Sequence, residues 1–311
     1  VPPSPEPEPP VEPVEPEPTE PAVPGVNIED YESLDEAIAA VPEGGTLVLT
    51  EGTVINDKLT LDKSMKIAAN GATISAPLTV TDAEVQIDDA NLEYQGSSNK
   101  VKTPVVKVTG ASNFSLTNST VTGTCRDGLL IKTSGEVIIE GNTFNAGNSS
   151  IYNMIEFGIG ESEPDVTKLT IKNNTFSGTL GNNAISIYNV AEDAEITIED
   201  NIFENIDPDN NPIRLSNVKN NSATFNIINN VYTFSSDTPT QYTGFILLQD
   251  YTKKSGAEQQ FNLFTINVKD LYRGSTKIEA EGTGLDRLFY VYEDGTGILD
   301  AGVNDPVVNF V

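Results

Sequence analysis

The sequence predicts an all-β protein built as a parallel β-helix of about eight or more rungs, with a short N-terminal capping helix and, before that, an extended Pro-Glu-rich arm. Three observations carry this. A segment of the form apolar-x-x-(Asn or small)-x-apolar recurs at irregular intervals, short apolar strands fall between its copies, and a helix signal leads directly into the first strand.

Composition sets the frame. With 311 residues, 37% of them hydrophobic, the chain can bury a large core. The 46 acidic residues against 18 basic ones leave a net charge of -28, a field that repels phosphate backbones and anionic headgroups, so neither nucleic acid nor direct membrane insertion is expected. One cysteine, Cys125, excludes an intramolecular disulfide, and the absence of histidine excludes His-based triads and the commonest metal ligand. No apolar run approaches the ~20 residues of a membrane span. No leader pattern precedes Val1, and that residue is not Met, which leaves room for a removed leader or initiator.

Residues 1–25 form the first expected unit. Residues 1–24 hold 11 of the 19 prolines and six glutamates, a composition that favours polyproline II and cannot join a β-ladder, because proline lacks the backbone donor. At ~3.1 Å per residue the segment could reach roughly 75 Å. It reads as a spacer or as an attachment arm, with Pro5, Pro7, Pro9, Pro13, Pro16 and Pro18 as its docking residues. Residues 26–300 form the second unit, and 301–311 a C-terminal tail.

Within the second unit, Ser33 with Glu36 makes a capping-box pattern, and Leu34, Ala37, Ile38 and Val41 follow at helical spacing, predicting a cap helix over 33–41. Pro42 and Gly44-Gly45 end it, and Thr46 to Leu49 begins the strands. Such a helix would cover the open first rung. The repeat then runs from Ile67, Ile87, Leu116, Ile139, Ile171, Ile198, Ile227 and, more loosely, Ile266. Four copies carry Asn followed two places later by an aromatic, as in Asn174-Thr-Phe176. Asn tolerates the left-handed conformation at bends and its side chain can bond neighbouring backbone. Between copies lie strands such as Val105 to Val108, Leu129 to Ile131, Met154 to Phe157 and Ala184 to Ile187. Periodicity alone also allows an antiparallel sandwich of some ten strands; the helix-then-strand start favours the β-helix.

The run from Leu34 through Pro42-Glu-Gly-Gly-Thr46 to Thr53 resembles the capping helix and first strand of pectate-lyase-like right-handed parallel β-helix proteins, and the later rungs fit the same group. The resemblance implies a right-handed coil. It says little about activity, because such coils serve as polysaccharide lyases and hydrolases, phage tailspikes, virion surface proteins and adhesins. In its lyases an Arg or Lys abstracts a proton and acidic clusters hold Ca²⁺.

Chemistry on such a rod must come from outward side chains. The repeat alignment places Lys107, Ile131, Glu156, Ser186, Arg214, Leu247 and Tyr290 in one outward column. Lys107, Glu156 and Arg214 are chemically capable but separated, so no catalytic, cofactor-binding or metal-ligating residue is expected, and no cofactor. Asp88-Asp89 and Glu199-Asp200 fall at bends, where Glu140-Gly141 and Lys172-Asn173 stand in other copies, and read as solvated turns. In Cys125-Arg126-Asp127-Gly128, Arg126 could lower the thiol pKa, but a turn feeding Leu129-Leu130 is the simpler reading. Lys253-Lys254 reads as a solubilising loop tip. The apolar members Ile131, Leu247 and Tyr290 suggest a strip covered by another chain. Tyr242, Tyr251, Tyr272, Tyr290 and Tyr292 suggest either a late partner or glycan surface or residues packed under the final loops.

These features lead to the expectation of a non-enzymatic display protein on a virion surface, as in phage head fibres or capsid decoration proteins. It would be anchored by its arm, homo-oligomeric, partnered by other virion or surface proteins, and able to meet a host glycan. A bacterial cell-surface or extracellular adhesin on a Pro-rich stalk and a polysaccharide lyase or depolymerase are the alternatives.

Overall fold

The computed structural model describes residues 25–148, 151–158, 165–250, 259–279, 282–293 and 306–311. The arm prolines Pro5, Pro7, Pro9, Pro13, Pro16 and Pro18, together with Tyr251 and Lys253-Lys254, lie outside the described residues.

The helix Leu34–Ala40 forms where the capping pattern predicts it, with the Glu36 amide donating to Ser33 Oγ at 3.2 Å. Its other end is held by Lys63, whose Nζ donates to the Ile38 and Ala39 carbonyls at 3.1 and 3.3 Å, a cation placed at the negative end of the helix. Ala37 and Val41 are buried, so the helix adds its apolar face to the first rung.

From there the chain coils through three parallel faces. Among the described residues, face A stacks eleven strands, from Val26–Asn27 to Val307–Phe310. Face B runs from Val54–Ile55 to Tyr272–Arg273, and face C from Leu59–Leu61 to Phe289–Glu293. The strand Thr120–Thr133 serves both B and C. Among the described residues every pairing is parallel except a terminal hairpin, Tyr272–Arg273 with Thr276–Lys277, so the sandwich alternative is excluded. Residues 307–310, assigned from the sequence to a tail, form the last strand of face A, against Phe264–Lys269.

Inside, Leu47, Ile67, Ile87, Leu116, Ile139, Ile171, Ile198, Ile227 and Val268 make one column on face A. Val268, not Ile266, continues it: both point inward, and period-two alternation let the looser last copy slide by two residues. On face B, Phe144, Phe176, Phe203 and Tyr232 stand in register, the first three stacked with centroids 4.9 Å apart. Each such pair adds ~0.5–1.5 kcal/mol beyond area burial.

The corner between A and B is built from two adjacent positions. The first is left-handed: Asp89, Asn118, Gly141, Asn173, Asp200, Asn229 and Asp270 all have φ between 49° and 70°. Every non-glycine residue of positive φ among the described residues is Asn or Asp, the types for which that region costs least. The second position turns inward, and there Asn142, Asn174, Asn201 and Asn230 form a buried ladder. Each amide oxygen accepts from the rung before: Asn174 N–H and Nδ2 both reach Asn201 Oδ1 at 3.0 Å, while Asn201 Nδ2 donates to the Ile171 carbonyl at 2.9 Å. Ser119 begins the ladder, its amide donating to Asn142 Oδ1 at 2.9 Å. Two residues inserted between Ile67 and Ile74 give Asn70 the bend, φ 50°, and Ala72 the inward place, so Asn70 is not a rung of the ladder.

Asn201→Ala would leave the Asn174 amide and the Ile171 carbonyl buried without partners, at ~1–3 kcal/mol each. The neighbouring Asp200→Asn keeps the bend and loses only an exposed ion pair. Chemical denaturation should show the first variant destabilised by roughly 2–5 kcal/mol and the second by under ~0.5 kcal/mol; equal losses would reject the ladder as the source of corner stability.

Candidate functional site

Register on face C decides what faces outward. Val106, Leu129, Ile155, Ile185, Ile213 and Ile246 form one inward column, and Val108, Ile131, Phe157, Ile187, Leu215 and Leu248 the other. Between them lies the outward column Thr79, Lys107, Leu130, Glu156, Ser186, Arg214, Leu247 and Tyr290. Ile131 is thus a core residue, 1% exposed, and Leu130 holds the outward place. The run Leu129-Leu130-Ile131 has no polar member to mark its outer face, which is why the sequence misassigned it by one residue.

The middle of this column is closed off from solvent. Glu156 and Ser186 are fully buried, and Arg214 nearly so. Asp127 and Asn153, register partners on adjoining rungs, cover them. Asn153 Nδ2 donates to Asp127 Oδ1 at 3.0 Å and to Glu156 Oε2 at 2.5 Å, and its Oδ1 accepts from Ser186 Oγ at 3.1 Å and Asn182 Nδ2 at 3.0 Å. Two guanidiniums flank the carboxylates: Arg126 Nη2 and Arg214 Nη2 stand 3.6 and 3.9 Å from Glu156 Oε2, and Arg126 Nε 3.8 Å from Asp127 Oδ2. Arg214 also lies 4.4 Å over the Tyr188 ring, a cation–π contact.

The expected separation of Glu156 from Arg214 is therefore corrected. They are two strand spacings apart, about 10 Å, and long side chains close that gap across the small Ser186. The string Cys125 to Gly128 is no turn either. It continues the strand Thr120–Thr133 around the B–C corner, and Gly128 is needed there because a Cβ would meet the Met154 carbonyl oxygen at 2.6 Å. Alternation sends Cys125 inward and Arg126 outward, so Arg126 does not activate the thiol. Burial, then the Asp127 charge, pushes Cys125 up to about 12, while its Sγ donates to the Asp127 carbonyl at 3.2 Å.

Burial also pushes Asp127 up to about 7, helped by the Glu156 charge, and raises Glu156. Chemically the cluster is a pair of buried carboxyls flanked by two guanidiniums, in which burial makes both carboxyls hold their protons more tightly than in water. Only the rim is open: the Arg126 side chain is 32% exposed and Tyr152 37%. The strand repeat concealed Asp127 and Asn153 because both precede the face C strand proper; their one-rung separation was the available signal.

The other predicted residues divide. Leu247, half-buried, adjoins Tyr290 in the outward column, and Tyr290 is 6% exposed with its ring edge-on to Tyr242, centroids 5.6 Å apart. Tyr242 is exposed at 39%. Tyr272 belongs to face B, beside Val231, so the tyrosines do not form one surface. Tyr292 lies in the strand Phe289–Glu293, its side chain outside the described residues, as is all of Tyr251. Asp89 and Asp200 occupy left-handed bends, and no group of three or more potential metal-ligating side chains occurs among the described residues. Toward the N-terminal rungs, face C holds an open cleft of about 340 Å³ lined by Lys58, Lys102, Lys107 and Lys132. No family model and no curated protein matches this chain.

Two predictions follow from these environments. Asp127 binds its proton more tightly in the folded state, about 7 against an ordinary 3.8. Stability is therefore fully present at low pH and falls as pH rises between those values. Melting temperature should drop from pH 5 to pH 8, and Asp127→Asn, which keeps the oxygen facing Asn153, should flatten that drop; an unchanged profile refutes the assignment. Separately, Cys125 should react with a thiol reagent only under denaturing conditions, and rapid native labelling would contradict its burial.

Proposed function

We propose that the chain is a non-enzymatic display protein, a capped β-helix rod of the pectate-lyase-like kind projecting from a larger assembly through its Pro-Glu arm. The observation that carries this reading is the sealing of the carboxyl pair. Asp127 and Glu156 are 1% and 0% exposed, and Asn153 bridges them. A general acid or base must come within hydrogen-bond reach of the bond it acts on, and this pair faces its own neighbours instead. The same contacts tie successive rungs together, which is what a rigid projecting rod requires. A virion surface suits the combination of rod and tether, and that placement is by analogy of fold.

A second reading, a polysaccharide lyase or depolymerase, draws on Arg126 at the rim beside an Asp127 that titrates near neutrality. Incubation with pectate, alginate and neutral capsular glycans, with and without Ca²⁺, separates the two. No unsaturated products or new reducing ends are expected; turnover abolished by Arg126→Ala or Asp127→Asn would establish the enzyme. For placement, antibody against the body should decorate the outside of intact particles, whereas decoration of bacterial cell walls would move the protein to an adhesin role.

A further inference from the structure

The lysine-lined cleft on face C is a basic site on a protein of net charge -28. Its lining contains four lysines and no Asp or Glu. Lys58 and Lys102 stand on the loop side, just before face C strands, and Lys107 and Lys132 on the sheet side within them. Pro77, Pro104 and Leu130 lie between, as an apolar floor. Lys58, Lys102 and Lys107 form no ion pair among the described residues, whereas Lys168, Lys172, Lys219 and Lys277 each do.

We propose that this cleft is the docking site for residues 1–24 of the same chain. Three features select that occupant. The first is charge: the arm carries six glutamates and no Lys or Arg, and on a body of net negative charge this cleft offers four lysines with no Asp or Glu in its lining.

The second is pattern. A polyproline II conformation, with three residues per turn, would put Glu6, Glu12 and Glu15 in one row and Glu8, Glu17 and Glu20 in the next. The third row holds Pro7, Pro10, Pro13 and Pro16 and no glutamate. A proline ridge between two carboxylate rows matches an apolar floor between two lysine walls.

The third is connection. Val26 stands in the column of Leu47 and Ile67, and Ile67 comes six residues after Leu61, the end of the first face C strand. The chain therefore enters the body at the corner bordering face C, at the rung next to Lys58. From Lys58 to Lys132 the cleft crosses three strand spacings, ~14 Å, which about five polyproline residues cover. Tethering supplies an effective concentration that weak exposed ion pairs alone would not need to exceed. The proposal rests on the reading of the arm as a docking element.

The test uses the full chain. Because Cys125 is buried, Val11→Cys can carry a single spin label. Amide resonances of Thr79, Thr103 and Leu130 should lose at least about half their intensity at ~20 mM salt and regain it at ~0.5 M, where screening shrinks to a few ångströms. Lys102→Gln with Lys107→Gln should abolish the effect. Glu12→Gln, Glu15→Gln and Glu17→Gln, which leave the body untouched, should abolish it as well. Broadening that misses the cleft at every salt concentration overturns the proposal. So does broadening that appears only on mixing labelled with isotopically enriched chains, which would assign the cleft to a second copy. Binding of an added anionic oligosaccharide to a cleft the label never visits would assign it to an external ligand. Either failure leaves the display reading open, since particle decoration and glycan turnover are measured independently.

Discussion

The A–B corner is the constraint on which the molecule depends. A parallel coil must turn sharply between faces while keeping every buried backbone group bonded, and the cost of a missed bond rises with burial. Here a left-handed Asn, Asp or Gly makes the turn, and the next side chain, buried Asn in four successive rungs, bonds the backbone on both sides of it. Once this corner repeats, the aliphatic column before it and the Phe144, Phe176, Phe203 column after it are brought into register without further specification. The ladder ends where Leu271 replaces Asn, beside the terminal hairpin.

Face C is where the rod departs from repetition. Its strands are reached through loops of unequal length, and the segments before two of them, carrying Arg126-Asp127 and Asn153, lie over the outward column. The result divides one face into two regions of opposite accessibility. In the central rungs a mixed cluster of carboxylates and guanidiniums is closed off, and breaking such a pair costs more than forming it gains. In the early rungs four lysines border an open cleft. The acidity of the whole chain gives the cleft its contrast: on a neutral protein four lysines would be ordinary, while here they stand against a net charge of -28.

Much of this was legible before any coordinates. The Ser33 cap, the helix, the repeat spacing, the inward stack from Ile139 to Ile227 and the aromatic stack from Phe144 to Tyr232 are local patterns, each imposed by a few adjacent side chains. The same locality explains the errors. Three consecutive apolar residues carry no phase, so the pattern at Ile131 does not mark it as inward, and a slip of two preserves the face, so Ile266 fits the repeat as well as Val268 does. Asp127 looked like a turn residue because Asp-Gly is a turn signal, whereas Gly128 is there to let a neighbouring carbonyl approach.

By itself, the sequence determined the class of fold, the cap, the bends and the acidic field, because each follows from short-range periodicity or from composition. Only the tertiary structure decided which residues meet. Glu156 with Arg214, Asp127 with Asn153, and Lys58 with Lys107 and Lys132 are brought together by inter-rung register. That register depends on the length of every intervening loop, and loop length leaves no periodic trace in the chain.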